Sequence, residues 1–242
     1  MRQFFIPVIL LLVFVACTQK GGYKEDVIID YTCLVNPLMG TDSDFSLSHG
    51  NTYPAIALPW GMNFWSPQTA GLNDGWAYVY DAKKINGFKQ THQPSPWIND
   101  YAAFALFPMT GKIETDIQKR ASWFSHKAET AMPHYYQVYL ADYDVVTEFS
   151  PTERAVMFRF TFPETDSAFV LLDAYDKGSE IKIIPEERKI IGYCRNNHGG
   201  VPENFHNYFV AIFDKDFEVI KSWEDGVLED DIAYQQGEHV GA

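Results

Sequence analysis

The sequence predicts an all-β fold, an antiparallel β-sandwich. Three observations carry that expectation. Short aromatic and β-branched runs recur through the second half at roughly ten-residue spacing. Within the clearest run, apolar and polar side chains alternate with the period of two of a half-buried strand. No apolar stripe of helical periodicity lasts three turns.

The elements follow in order. Tyr135–Leu140 (YYQVYL) and Val145–Phe149 (VVTEF) read as two strands joined across the turn-like Ala141-Asp142-Tyr143-Asp144. Ala155–Phe162 is next, where Phe158, Phe160 and Phe162 alternate with Arg159 and Thr161. Pro163–Ser167 ends it. Ala168–Ala174 (AFVLLDA) is more continuously apolar, as a central strand is. Asp176-Lys177-Gly178-Ser179 turns the chain again. Ile181–Ile184, Lys189–Cys194, Tyr208–Phe213 and Phe217–Trp223 complete the series. Val240-Gly241-Ala242 reads as the opening of a further strand, as in a chain cut inside a domain.

The first half is different. Residues Asn36–Trp97 are dense in Gly, Pro, Asn, Ser and Trp, and regular strands are expected to be few. Four of the six Trp fall between Trp60 and Trp97, so the aromatic rings concentrate where loops are expected. Long loops in a compact domain are usually functional.

Composition narrows the function. A chain of 242 residues that is 46% hydrophobic and 21% charged is globular. Against 19 Lys and Arg stand 32 Asp and Glu, for a net charge of −13. Such a surface repels phosphate backbones, and no local basic patch offsets it, so a nucleic-acid partner is not expected. Three cysteines are too few for a disulfide scaffold or a Cys-based zinc site.

The first stretch reads as an address label. Arg2 precedes an apolar run from Phe4 to Ala16. Thirteen helical residues span only about 20 Å, too short for the hydrocarbon core. The run fits the core of a signal peptide, residues 1–16, with an uncleaved anchor as the alternative. Phe14-Val15-Ala16-Cys17 resembles a bacterial lipobox, which makes Cys17 a lipidated N-terminus and 17–30 a tether. The domain then occupies 31–242. Cys33 and Cys194 remain, read as two separate buried thiols, with a disulfide as the alternative.

Familiar catalytic motifs are absent. There is no Gly-rich phosphate loop, no G-x-S-x-G and no H-E-x-x-H. The seven His are scattered without metal-ligand spacing. Asp42-Ser43-Asp44 lacks the glycine and glutamate of a calcium loop and reads as a solvated turn. The stretch Gly50–Thr69 is more specific. It mixes backbone-shaping residues, aromatic plates and amide or hydroxyl groups. Sugars present CH-rich faces to rings and hydroxyls to amides, so such a stretch suits a sugar pocket. A Trp-rich core with turns fits the same residues. Thr91–Asp100 repeats the theme, with Pro94 and Pro96 stiffening the approach to Trp97.

Several of these stretches, in order, resemble the N-terminal domain of glycoside hydrolase family 92, a family of exported α-mannosidases. They are Val35–Thr41, Gly50–Pro54, Pro59–Met62, Trp65–Thr69, Gly87-Phe88, Thr91–Asp100, Phe124–Glu129, Pro133–Tyr136 and Thr152–Arg154. The resemblance implies a galactose-mutarotase-like supersandwich that packs on a C-terminal (α/α)6 barrel. It implies calcium-dependent, inverting exo-hydrolysis of α-linked mannose in mannose-rich N-glycans, with the acid, base and calcium ligands in the barrel. No catalytic residue and no metal ligand is therefore expected in this chain. The sandwich is implied to lend loops to the substrate pocket. Trp97 is the expected sugar-stacking residue, with His92 beside it. Asn51, Trp65, Ser66 and Gln68 are further candidates, although Trp65 fits a core and Ser66 a turn equally well.

Two readings follow. The first is the substrate-pocket domain of an α-mannosidase, anchored by lipid at the periplasm or cell surface, whose partners are mannose glycans, the barrel and the membrane. The second is a lipid-anchored, non-catalytic glycan-binding sandwich.

Overall fold

The computed structural model describes residues 30–42, 52–69, 77–91, 101, 103–197 and 199–242. The fold lies within the compact unit Tyr31–Ala242. Helical backbone among the described residues is limited to short 3₁₀ turns such as Tyr31–Leu34 and His126–Ala128. The signal segment 1–16, Cys17 and nearly all of the tether lie outside the described residues.

The strands, in chain order, are β1 (Phe64–Gln68), β2 (Lys84–Ile85), β3 (Gly87–Thr91), β4 (Ala105–Thr110), β5 (Ser122–Trp123) and β6 (Glu129–Met132). Then come β7 (Tyr135–Leu140), β8 (Val145–Pro151), β9 (Val156–Thr161), β10 (Ala168–Asp173), β11 (Ser179–Ile184) and β12 (Lys189–Cys194). The last are β13 (Asn207–Ile212), β14 (Lys221–Glu224), β15 (Val227–Asp230), β16 (Tyr234–Gly237) and β17 (Val240–Gly241). A seven-stranded sheet runs β1-β3-β4-β10-β17-β14-β15. Two four-stranded sheets run β6-β7-β8-β9 and β13-β12-β11-β16, and β2 pairs with β5. Each of these strand pairs is antiparallel.

The large sheet forms one layer and the two smaller sheets the other. Phe88 of β3 meets Tyr136, Phe149 and Phe158 of the β6–β9 sheet, and Phe104 stacks on Phe209 of the other. Leu106, Leu172, Val138, Ile181 and Ile190 fill the same core. Removing that apolar surface from water is the main force joining the layers. The fold is thus the expected β-sandwich.

Local expectations met different fates. The alternation in Val156–Thr161 is real: Val156, Phe158 and Phe160 turn inward and Met157, Arg159 and Thr161 outward. β10 is central, paired with β4 and β17. Three expectations need correction. Phe217–Ile220 is not strand; Phe217 lies edge-on to Phe213 at 5.1 Å, and pairing begins only at Lys221. The first half also holds more strand than its composition suggests. β1 and β3 form one end of the largest sheet, and β1 carries Pro67 because an edge strand does not need every N–H. No disulfide joins Cys33 to Cys194; Cys33 is exposed, contrary to the expected burial, and Cys194 is buried.

Candidate functional site

Consider the end of the large sheet where β1 begins and β3 finishes. Phe64 pairs with Thr91, so Thr91 is delivered to the sheet end by a full five-residue register. Residues 92–100 follow directly, and they contain His92 and Trp97, which lie outside the described residues. The chain is described again continuously from Ala103, at the root of β4, the neighbour of β3.

Both roots are held by amides. Asn63 Nδ2 donates to the carbonyl of Ala155 at 2.7 Å, while its Oδ1 accepts from Trp65 Nε1 at 2.8 Å. Gln90 Nε2 reaches the same Oδ1 at 3.4 Å, and Gln90 Oε1 accepts from Asn207 Nδ2 at 2.8 Å. On the other root, buried Asn196 works as a backbone mimic. Its Oδ1 accepts from the Ala103 N–H at 2.8 Å and its Nδ2 donates to the Ala103 carbonyl at 2.7 Å. Loops that carry binding groups gain precision from such rigid roots. Asn51 is also outside the described residues; its neighbour Thr52 is tied to Gly40 and Met39 by hydrogen bonds of 3.1 and 3.0 Å.

The remaining candidates lie elsewhere than expected. Alternation along β1 sends Trp65 into the interlayer core, at 2% exposure, edge-on to Phe104 and Phe158. No ring face is left for a sugar. Ser66 and Gln68 are buried on the other face of the strand. Gln68 Oε1 accepts from the Tyr175 hydroxyl at 2.5 Å, and Ser66 Oγ donates to the Pro67 carbonyl at 3.0 Å. These three build the sheet that carries the roots. Trp60 does the opposite: it is 99% exposed on a turn with φ of 62°, a backbone a bulky residue rarely adopts.

Two buried ionic clusters escaped the sequence reading. In the first, the Glu129 carboxylate accepts from Tyr136 Oη at 2.6 Å, Tyr78 Oη at 3.1 Å and His126 Nδ1 at 2.6 Å. His126 Nε2 lies 2.8 Å from the Tyr80 carbonyl, and the two rings stack at 4.0 Å. Burial and the Glu129 charge push the Tyr78 and Tyr136 hydroxyls well above the ordinary tyrosine range. The signal was there as the H-x-x-E spacing of His126 and Glu129, but its partner Tyr78 is far away in sequence. An open hollow of about 270 Å³ beside His126 is lined by Lys83, Phe124 and Lys127.

In the second cluster, Arg120 Nη2 donates to Asp173 Oδ2 at 2.8 Å, with both side chains out of water. Asp173 Oδ1 accepts from His239 Nε2 at 2.8 Å and from the Tyr175 N–H at 3.1 Å. Burial by itself would raise the Asp173 pKa; Arg120 and His239 overcome it and hold the carboxyl below its ordinary value. Burial would lower that of His239, and Asp173 overcomes it and raises it.

Each of these buried carboxylates is occupied by donors and braces the elements it joins. Among the described residues no three His, Cys, Asp or Glu side chains converge to hold a metal. Asp42 is described, but Ser43 and Asp44 are not.

Residues 34–242 match the model of the glycosyl hydrolase family 92 N-terminal domain. The structure is similar to that of an inverting GH92 mannosidase from Bacteroides thetaiotaomicron VPI-5482. The TM-score is 0.84 at 44% identity, over 87% of this chain and 28% of that one. It is also similar to a GH92 α-mannosidase from Bacteroides thetaiotaomicron, which has been solved with mannoimidazole. There the TM-score is 0.73 at 30% identity, over 87% of this chain and 30% of that one. A third GH92 glycosyl hydrolase, at 22% identity and a TM-score of 0.70, shares the fold. Among curated proteins none matches. The chain thus spans under a third of the length of the solved structures it matches. With the family model covering residues 34–242 and the similar solved structures drawn from the same family, the chain belongs to glycosyl hydrolase family 92, whose N-terminal domain it carries.

Proposed function

We propose that this domain is the non-catalytic part of the substrate pocket of a calcium-dependent, inverting exo-α-mannosidase acting on mannose-rich N-glycans. The observation that carries the reading is the 44% identity, across 87% of the chain, to a GH92 inverting mannosidase. The geometry supports it. The Asn63–Gln90–Asn207 amide chain and the Asn196 clamp hold Gln90 and Ala103, on either side of the stretch that contains His92 and Trp97. In this reading Trp97 stacks on the leaving-group mannose and His92 hydrogen-bonds a sugar hydroxyl. Excluding water around a ring face strengthens the few polar contacts that orient the sugar.

Inversion needs an acid and a base roughly 6.5–9.5 Å apart, with water between the base and the sugar. The reading assigns that pair, and the calcium, to residues outside this chain. It also places the protein on a membrane facing the periplasm or the outside, held by lipid on Cys17.

The test is direct. The 242-residue chain should not hydrolyse aryl or disaccharide α-mannosides. The enzyme that contains it should release mannose with inverted configuration, and a chelator should abolish that release. Calcium-dependent turnover by this chain alone would overturn the assignment of the chemistry.

A further inference from the structure

The outer face of the β13-β12-β11-β16 sheet carries an unusual row. Register aligns Gln236 with Glu180, Glu180 with Tyr193, and Tyr193 with Tyr208. Four strands at the usual spacing make this row about 14 Å wide. Tyr208 is 73% exposed although it sits in a strand. The rings of Tyr193 and Tyr208 are 5.9 Å apart at 64°. His206 completes a cluster, 4.5 Å from Tyr193 and 5.6 Å from Tyr208. Its ring is fixed by Nδ1 donating to the Asn204 carbonyl at 2.7 Å.

The polar half of the row is equally ordered. Gln236 Nε2 donates to the Tyr193 hydroxyl at 3.0 Å. The Tyr234 hydroxyl, two residues along β16 and so on the same face, lies 3.2 Å from Glu180 Oε2 and 3.0 Å from Gln236 Oε1. Aromatic plates therefore stand at one end of the row, and a preset amide, carboxylate and hydroxyl at the other. A hexose needs both kinds of surface: a ring for its CH face and oriented polar groups for its hydroxyls.

Position adds a second argument. Asn207 lies between His206 and Tyr208 and points the other way, where it donates to Gln90, the residue before Thr91. Phe205 meets Tyr101 edge-on at 6.5 Å. The row thus starts where the braced roots of residues 92–102 end.

We propose that the row Tyr208–Tyr193–Glu180–Gln236, with His206, is a second sugar-binding site that holds a more distant part of the glycan. The choice of ligand rests on the glycan reading above; the site itself rests on the row's chemistry. A sugar held here extends the glycan contact beyond the residues at the cleaved bond.

The test is affinity electrophoresis of the full chain in gels containing yeast α-mannan or, separately, a β-glucan. Tyr208→Ala, Tyr193→Ala, Tyr208→Phe and Trp97→Ala run beside the wild type, with a thermal melt of each. Mannan should retard the wild type. Tyr208→Ala and Tyr193→Ala should each weaken binding about tenfold, and Tyr208→Phe should keep it. Trp97→Ala should leave the part borne by the row. Retardation that survives Tyr208→Ala but vanishes in Trp97→Ala overturns the row and leaves the proposed function standing. No retardation of the wild type by either polysaccharide also overturns it. So does a Tyr208→Ala variant that binds normally but melts lower, which marks the face as a protein contact. Glucan retardation lost in Tyr208→Ala, with none by mannan, upholds the row as a sugar site and removes mannose from the proposed function.

Discussion

Gly241 stands directly opposite Trp223 in the β14–β17 pair, and the indole occupies the space where a side chain at 241 would lie. A Cβ built there would sit 1.8 Å from Trp223 Cζ2. Trp223 is 1% exposed and packs with Met109 and Leu171, so it has little room to retreat. β17 meanwhile joins β10 to β14, and the Leu172 and Ala242 backbones exchange hydrogen bonds of 2.7 and 2.9 Å.

Gly241→Ala should therefore destabilise the domain through overpacking, by about 1–3 kcal/mol. For a domain of this size that lowers Tm by roughly 2–4 °C per kcal/mol. Gly241→Ala combined with Trp223→Leu should recover part of the loss, because the indole is what the new methyl meets. A thermal melt of the single and double variants decides it; an unchanged Tm in the single variant would show that β17 moves freely.

The Arg120–Asp173–His239 cluster predicts a stability maximum in mildly acid solution. His239 has a folded pKa above its ordinary 6.5. Its contribution is complete below 6.5 and is lost as pH rises through the higher folded value. Asp173 has a folded pKa below its ordinary 3.8. Its contribution is present above 3.8 and is lost as pH falls through the lower folded value. Urea melts across pH should show stability declining on both sides, and His239→Gln should remove the decline on the alkaline side only. Asp173→Ala, which leaves Arg120 buried without its carboxylate, should cost about 3–5 kcal/mol.

Trp65→Ala should behave as a core truncation, costing about 3–5 kcal/mol, because the indole fills the space between Phe104 and Phe158. Calorimetric titration of the folded variant with mannan should give the wild-type affinity. A loss of affinity without a loss of stability would return Trp65 to the binding site.

Trp97→Ala, in the enzyme that contains this domain, should impair hydrolysis of mannobiosides far more than that of substrates with a small leaving group. Losing such an aromatic contact is worth roughly 1–3 kcal/mol, or roughly 5- to 150-fold in kcat/KM. Equal impairment on both substrate types would make Trp97 structural.

Cys17 should take up a palmitate analogue in growing cells, and Cys17→Ala should not. Lipobox proteins carry several acyl chains, enough for stable anchoring. Equal labelling of both proteins would remove the lipid anchor from the proposed function.

Much of the fold was already written in local pattern. The runs that became β7–β12 are short and rich in aromatic and β-branched residues, and Val156–Thr161 also shows the strand period; both are properties of neighbours in the chain. The family motifs were legible for the same reason: each is a short contiguous string. What the tertiary structure alone decided is pairing. Trp65, Ser66 and Gln68 sit among loop-forming residues and look available for a ligand, yet the register with β3 turns that segment into strand and buries all three. Phe217–Ile220 has the composition of a strand but does not form one, since composition does not supply a partner ladder. Asp173 reaches Arg120 across 53 positions and His239 across 66. Tyr208 gives no local sign that Glu180 and Gln236 share its row. Separations of that size are set by which strands lie side by side, and that is a free-energy choice of the whole chain, which no short window of sequence contains.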